Sequence, residues 1–364
     1  MENKYTYPFD EELKEEVKQG VEDDFEESPP KDIVAYNELR SCADIFRMYK
    51  SGQLEIQPYF QRDVVWSKPA QSRFVDSLIK QLPIPSMCFS LDFNSDERYV
   101  IDGLQRIQSI INFLSKEEWT LSPLEDIDPA ISGKSIRSIK KNNPSYYSRV
   151  QNLTIPITVI RCNHNKKEHL EYLFTIFHRL NSGGTKLNNQ EIRNCIYSGS
   201  FNEFLKSITV FKHYQSLFDI DSNKNYRFSF EELNLRFFAL SEDFENYSGR
   251  LSKWLNDYMF SNRFLDDNTI EIKRKEFEDV ITIIYTRVFE NTAVKKISKS
   301  IIEAIYVGVQ RNLQDIKKSQ TILNQKYQTL RQDPLFSSDE LSEGVARKNK
   351  VIKRLNRAVE IFAE

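Results

Sequence analysis

Glycine is scarce in this 364-residue chain, with ten in all, and none of them forms a GxxxxGK[ST] or GxGxxG run. A P-loop and a Rossmann fingerprint are therefore excluded, and any nucleotide must be held by another device. Only four cysteines occur, Cys42, Cys88, Cys162 and Cys195, with no CxxC pair among them. That pattern gives no disulfide framework and fits buried thiols in a reducing, cytoplasmic compartment. The four histidines, His164, His169, His178 and His213, make no HExxH or His/Cys ligand set, so no metal-ligand cluster is expected. No GxSxG elbow is present. No apolar run approaches the ~18 residues of a membrane span, mean hydropathy is -0.55, and no membrane partner is expected. The acidic N-terminus argues against a signal peptide or a mitochondrial presequence.

What is present is charge, unevenly placed. The net charge is -2, yet residues 1–32 carry twelve acids against four bases, leaving the rest of the chain positive. That segment closes with Ser28-Pro29-Pro30 and reads as an acidic, flexible tail. At the other end, residues 345–357 hold Arg347, Lys348, Lys350, Lys353, Arg354 and Arg357 with no acid. Such a run is a solvated helix face or a contact for DNA or an acidic partner.

From residue 33 the pattern alternates between strand and helix. Ser41 can cap a helix that Gly52 stops, and Ser67 caps another with Pro69 in its first turn. Met87, Phe89, Leu91 and Phe93 have strand spacing, a turn follows at Asn94–Glu97, and Tyr99–Ile101 returns. Leu104, Ile107, Ile111 and Leu114 form a helical stripe. Thr154–Arg161 reads as a strand that Pro156 assigns to an edge. After residue 164 every periodic segment is helical. The fold class is therefore α+β: a small mixed-sheet domain at 33–164 followed by an all-helical domain at 165–364.

Three segments could carry chemistry. In IDGLQR at 101–106 a strand turns into a helix; Asp102 is a candidate N-cap and Gln105 the partner of a capping box, with Gly103 permitting the turn. Arg106 opposes the helix dipole there, which makes sense if an anion sits at the helix start. YFQRDVVW at 59–66 repeats the Gln-Arg pair as Gln61 and Arg62, so that two pairs could surround a polyphosphate with guanidinium and amide donors. FHRLNSGGTKLNNQEIRN at 177–194 is either a plain helix–loop–helix connection, with Asn188 and Glu191 as a capping box, or a segment whose Arg179, Asn181 and Arg193 close the site.

These residues resemble the N-terminal domain of GmrSD-type restriction proteins. The resemblance rests on Gln61-Arg62 with Trp66, on Asp76-Ser77 leading to Pro83-Ile84-Pro85, on Val100-Ile101-Asp102-Gly103-Leu104-Gln105-Arg106, and on the later FHRLNSGG…NNQEIRN block. It implies a ParB/sulfiredoxin-like fold and a nucleotide-binding, NTP-hydrolysing module of prokaryotic defence against phage or modified DNA. Asp102, Gln105 and Arg106 would be catalytic, with Asp102 capping the helix or holding Mg²⁺ through water. Gln61, Arg62, Gly103, Arg179, Asn181 and Arg193 would contact the nucleotide. Leu104 stands where the family has a glutamine, which removes one donor. No His-Asn-His nuclease motif follows residue 200, so this chain alone is not expected to cut DNA. The alternative function is a non-enzymatic adaptor that binds DNA or a partner defence protein.

Overall fold

The computed structural model describes residues 29–56, 66–180, 187–221, 224, 226, 228–294, 297–341 and 344–363. The chain divides into two compact units, one within Glu27–Leu187 and one within Asn188–Glu364. Of the expected tail at 1–32, residues 1–28 lie outside the described residues.

The first unit is built on five strands: β1 (Val34–Ser41), β2 (Leu54–Glu55), β3 (Met87–Asp92), β4 (Arg98–Asp102) and β5 (Thr154–Cys162). They form one mixed sheet in the order β1-β5-β3-β4-β2. β1 runs antiparallel to β5, and β3 antiparallel to β4; β5 is parallel to β3 and β2 to β4. β3 lies at the centre and is buried along its whole length.

Three helices follow the strands in turn: α1 (Cys42–Lys50), α2 (Lys68–Ile79) and α3 (Leu104–Ser115). Their apolar stripes, with Ile45, Val75, Leu78, Ile107 and Ile110, share one core with Met87, Phe89, Leu91, Ile157 and Val159 of the sheet. At roughly 25 cal/mol per Å² of apolar surface, this shared burial is what holds helices to sheet. Ser41 and Ser67 cap α1 and α2 by accepting from the amides of Asp44 and Ala70. Two short helices, α4 (Ile136–Asn142) and α5 (Pro144–Asn152), precede β5, and α6 (Lys167–Leu180) packs against β4. The expected domain boundary at 164/165 thus falls just before a helix that the first unit contains.

One expectation needs correction. β5 is not an edge strand: it lies between β1 and β3. Pro156 is tolerated because β3 covers β5 only from Ile157 onward, so at Pro156 that flank asks for no ladder hydrogen bond. The edges are β1 and the short β2, and β1 carries Val34, Tyr36 and Leu39 exposed, which conceals it in the sequence.

In the second unit every described regular element is helical, beginning with α7 (Asn189–Ile196), α8 (Ser200–Ser207) and α9 (Lys212–Phe218). The capping box of Asn188 and Glu191 is formed as expected. Next come α10 (Ser229–Asp243), α11 (Leu251–Asn262) and α12 (Asp267–Ile283). The last four are α13 (Lys299–Arg311), α14 (Leu313–Lys318), α15 (Leu323–Gln332) and α16 (Lys348–Ala363). All four cysteines are buried free thiols, and burial pushes Cys42, Cys88 and Cys162 up to about 12.

Candidate functional site

The junction of β4 and α3 is shaped by two irregularities. The β3–β4 register shifts between Cys88 and Phe89, so that Ile101 is extra and Asp102 faces Cys88. Such a bulge re-aims the side chain that follows it. Gly103 then turns at φ +100°, and a Cβ there would stand 2.8 Å from Cγ of buried Met87. Only glycine satisfies both the backbone angle and the close approach.

The structure corrects the expected role of Asp102. Gly103, not Asp102, occupies the N-cap of α3, and no side chain caps it. Asp102 instead pairs with Arg106 one turn on, Oδ2 accepting from Nη2 at 2.6 Å. The bulge has turned the carboxylate along the helix, where an acid four residues before a base is well placed. Arg106 also donates through Nη1 to the carbonyls of Pro85 at 2.5 Å and Ser86 at 3.3 Å. A cation in the first turn is thus explained within the protein: the Asp102 carboxylate offsets its conflict with the dipole. Gln105 completes no capping box; its Oε1 accepts from the backbone N–H of Trp66 at 3.3 Å.

Beside this pair lies an open cavity of about 460 Å³, within the usual range for small-molecule sites. Trp66, Phe74, Leu82, Pro83, Ile84 and Pro85 make its apolar wall, and Ser77, Ser86, Asp102 and Arg106 its polar one. Trp66 meets Phe74 edge-on with centroids 5.5 Å apart, which fixes the indole in place. Oδ1 of Asp102 accepts no hydrogen bond among the described residues, and the carboxylate side chain is 40% exposed. Arg106 is 13% exposed and keeps donor capacity at Nε and Nη2. The arrangement offers an aromatic and proline face beside one acceptor and one charged donor. Among the described residues no cluster of three or more His, Cys, Asp or Glu could hold a metal ion.

Neither Arg179 nor Arg193 lines this cavity. Gln61, Arg62 and Asn181 lie outside the described residues. Arg179 is exposed near the end of α6. Arg193 is 1% exposed, inside the second unit. There it donates to Asn256 at 2.8 Å, Ser252 at 3.2 Å, and Gln190 and Glu232 at 3.3 Å. Arg236 bonds the same Glu232 at 2.7 Å and Glu303 at 3.2 Å. Burial pushes the Arg193 guanidinium down, while for Glu232 burial is outweighed by Arg236, Lys299 and Arg193, which hold its carboxyl well below the usual range.

Of the six basic residues at 345–357, three are engaged. Lys350 bridges Glu340 at 3.0 Å, Arg357 bridges Asp333 at 2.7 Å and Glu360 at 3.0 Å, and Arg354 is buried against the Val345 carbonyl. Arg347, Lys348 and Lys353 remain exposed. Glu340, Asp333 and Glu360 lie outside the acid-free run, which is why its charge looked uncompensated in sequence.

Sequence reasoning missed Gln71, Gln108 and Asn112, which connect α2 to α3 behind Trp66. Their signal was available: Gln105, Gln108 and Asn112 recur at i, i+3 and i+7 on one helix face.

Residues 42–198 match the family described as GmrSD restriction endonuclease, N-terminal domain. That segment of the chain is a GmrSD-type N-terminal domain; it runs from α1 to just past α7 and contains the whole Asp102/Arg106 cavity. No curated protein and no solved structure gives a significant match. No helix of the described residues is long and apolar enough to cross a membrane.

Proposed function

We propose that this chain is the nucleotide-binding component of a restriction-type defence system, with the cavity at the β4–α3 junction as its nucleoside triphosphate site. The observation that carries the reading is the cavity itself: an aromatic and proline wall on which a base can lie, and Asp102 and Arg106 at its polar side. Arg106 supplies charge-assisted donors for phosphate oxygens. Asp102, through its open Oδ1, would hold a Mg²⁺ ion through water, since hard oxygen ligands suit that ion. When bound, the metal supplies charge neutralisation, and what this chain contributes is orientation and a fixed cation. A ParB/sulfiredoxin-like relationship is consistent with the small mixed sheet and belongs to the same proposal.

A second reading, binding without hydrolysis, is favoured by one observation. Leu104, the first residue of α3, packs against the core, so the position offers no donor to the site. The chain would then be a nucleotide-controlled adaptor for DNA or a partner defence protein, with Arg347, Lys348 and Lys353 as its available cations.

Calorimetric titration of ATP, GTP and CTP with Mg²⁺, paired with a phosphate-release assay, separates the readings. Binding with release supports the enzyme, and binding without release the adaptor. Arg106→Ala should weaken binding by about tenfold or more, since a hydrogen bond to a charged group is worth about 1.5–3 kcal/mol. No binding of any triphosphate at millimolar concentration would refute both forms.

A further inference from the structure

Behind the cavity wall four side-chain amides form a directed chain around Trp66. The Trp66 N–H donates to Gln105 Oε1 at 3.3 Å, and the Trp66 carbonyl accepts from Gln71 Nε2 at 3.1 Å. Gln71 Oε1 accepts from Asn112 Nδ2 at 3.1 Å, and Asn112 Oδ1 from Gln108 Nε2 at 3.2 Å. Each inner amide accepts on one side and donates on the other, so the bonds polarise one another in a single sense.

The placement is specific. Gln71 and Asn112 are 8% and 7% exposed, at a helix–helix contact where aliphatic side chains would pack without needing partners. Gln105 does not line the cavity, whereas Trp66 does. The acceptor oxygen of Gln105 is spent on the Trp66 backbone, so its connection to the cavity runs through that residue. The two helices α2 and α3 thereby grip one residue by both of its backbone polar groups.

We propose that Gln105 and Gln71 are positioning residues: they hold Trp66 so that its indole forms the aromatic wall of the Asp102/Arg106 cavity, and Asn112 and Gln108 fix the orientation of the Gln71 amide. This assigns Gln105 a role through Trp66 in place of direct contact with phosphate. The inference rests on the nucleotide reading only for the identity of the ligand.

The test uses the full chain in two arms. The first measures hydrogen exchange at the Trp66 amide in wild type, Gln105→Leu and Gln105→Glu, with circular dichroism confirming the fold and Gln105→Met standing in should the leucine variant not fold. Leucine and methionine offer no oxygen acceptor; glutamate keeps it. Exchange should accelerate about fivefold or more in Gln105→Leu, the equivalent of one neutral hydrogen bond, and return near wild type in Gln105→Glu. The second arm titrates Mg–ATP, Mg–GTP and Mg–CTP into wild type and Gln71→Leu. Gln71 does not itself line the cavity, so a fivefold weaker binding there reports the position of Trp66. Unchanged exchange in Gln105→Leu overturns the proposal, as does Gln71→Leu binding triphosphate as wild type does. If wild type binds none of the three, the nucleotide reading fails while the exchange arm still decides the clamp.

Discussion

Replacing Gly103 with alanine tests how tightly the β4–α3 junction is specified. Two costs add at this position. At φ +100° an L-residue is strained by about 1–2 kcal/mol. The new Cβ would also sit 2.8 Å from Cγ and 3.1 Å from Cβ of Met87. Met87 is 1% exposed, and its crowded atoms are near the backbone, so it cannot swing aside. Overpacking of this kind costs about 1–3 kcal/mol. Gly52 provides the control, because its φ is +75° yet nothing lies within 4 Å of its Cβ position. Gly52→Ala should therefore cost only the strain, and Gly103→Ala should exceed it by about 1–3 kcal/mol. Urea titration followed by tryptophan fluorescence measures both. A Trp254→Phe background removes the signal of the second unit, leaving Trp66 and Trp119 of the first. Equal destabilisation by the two substitutions would refute the close packing of Gly103 on Met87.

Three further outcomes are expected. Glu232→Gln removes the carboxylate shared by Arg193, Arg236 and Lys299. Taking the shared charge from those buried cations, of which Arg236 keeps Glu303, should destabilise the second unit by about 3–5 kcal/mol, read by calorimetric unfolding as an earlier transition in that unit alone. Burial pushes the Glu231 carboxyl up to about 7. The folded chain then holds a proton that the unfolded chain releases near 4.5, so stability falls as pH rises between those values. Glu231→Gln should flatten that slope in urea midpoints taken from about pH 5 to 8, and an unchanged slope counts against the assignment. If α16 binds DNA, Lys348→Glu with Lys353→Glu should weaken binding and lower the salt slope by about 0.9 for each phosphate no longer neutralised. Lys350→Gln, whose lysine is already bridged to Glu340, should do so less; equal effects from paired and exposed lysines would remove the distinction.

Much of the fold was legible where local chemistry and tertiary packing agree. The alternation from Met87 to Leu91 and the stripe of Ile107 and Ile111 announce their elements because the same residues form the core, and Ser67 with Pro69 announces a helix because the Ser67 side chain caps it. The capping box at Asn188 is legible because its two hydrogen bonds join residues only three apart. β1 was not legible, since its apolar Val34 and Leu39 face outward at the sheet edge and leave no buried alternation. Pro156 misled because its effect depends on where β3 begins to pair, which no local pattern records. α4 and α5 were missed because mostly polar residues cover them: only Ile136, Ile139 and Val150 are buried.

The site divides along the same line. Motif spacing located Asp102, Gly103 and Arg106 at one junction, where the cavity lies. Their roles depend on geometry that spacing cannot convey. A one-residue bulge turns Asp102 from cap to ion-pair partner, and the backbone of Trp66 claims the oxygen of Gln105. Arg193 illustrates the converse: its motif is polar, yet apart from Gln190 the partners named for it, Glu232, Ser252 and Asn256, come from α10 and α11, up to 63 residues away in sequence.

The most direct test of the account is a Mg–triphosphate titration read simultaneously by calorimetry and by tryptophan fluorescence, with Trp66→Phe as the control. Trp66 walls the cavity, so the account predicts a saturable fluorescence change that tracks the calorimetric isotherm, vanishes in Trp66→Phe, and shifts to about tenfold higher concentration in Arg106→Ala. Calorimetric binding that leaves Trp66 silent and is indifferent to Arg106→Ala would place the ligand elsewhere and contradict it.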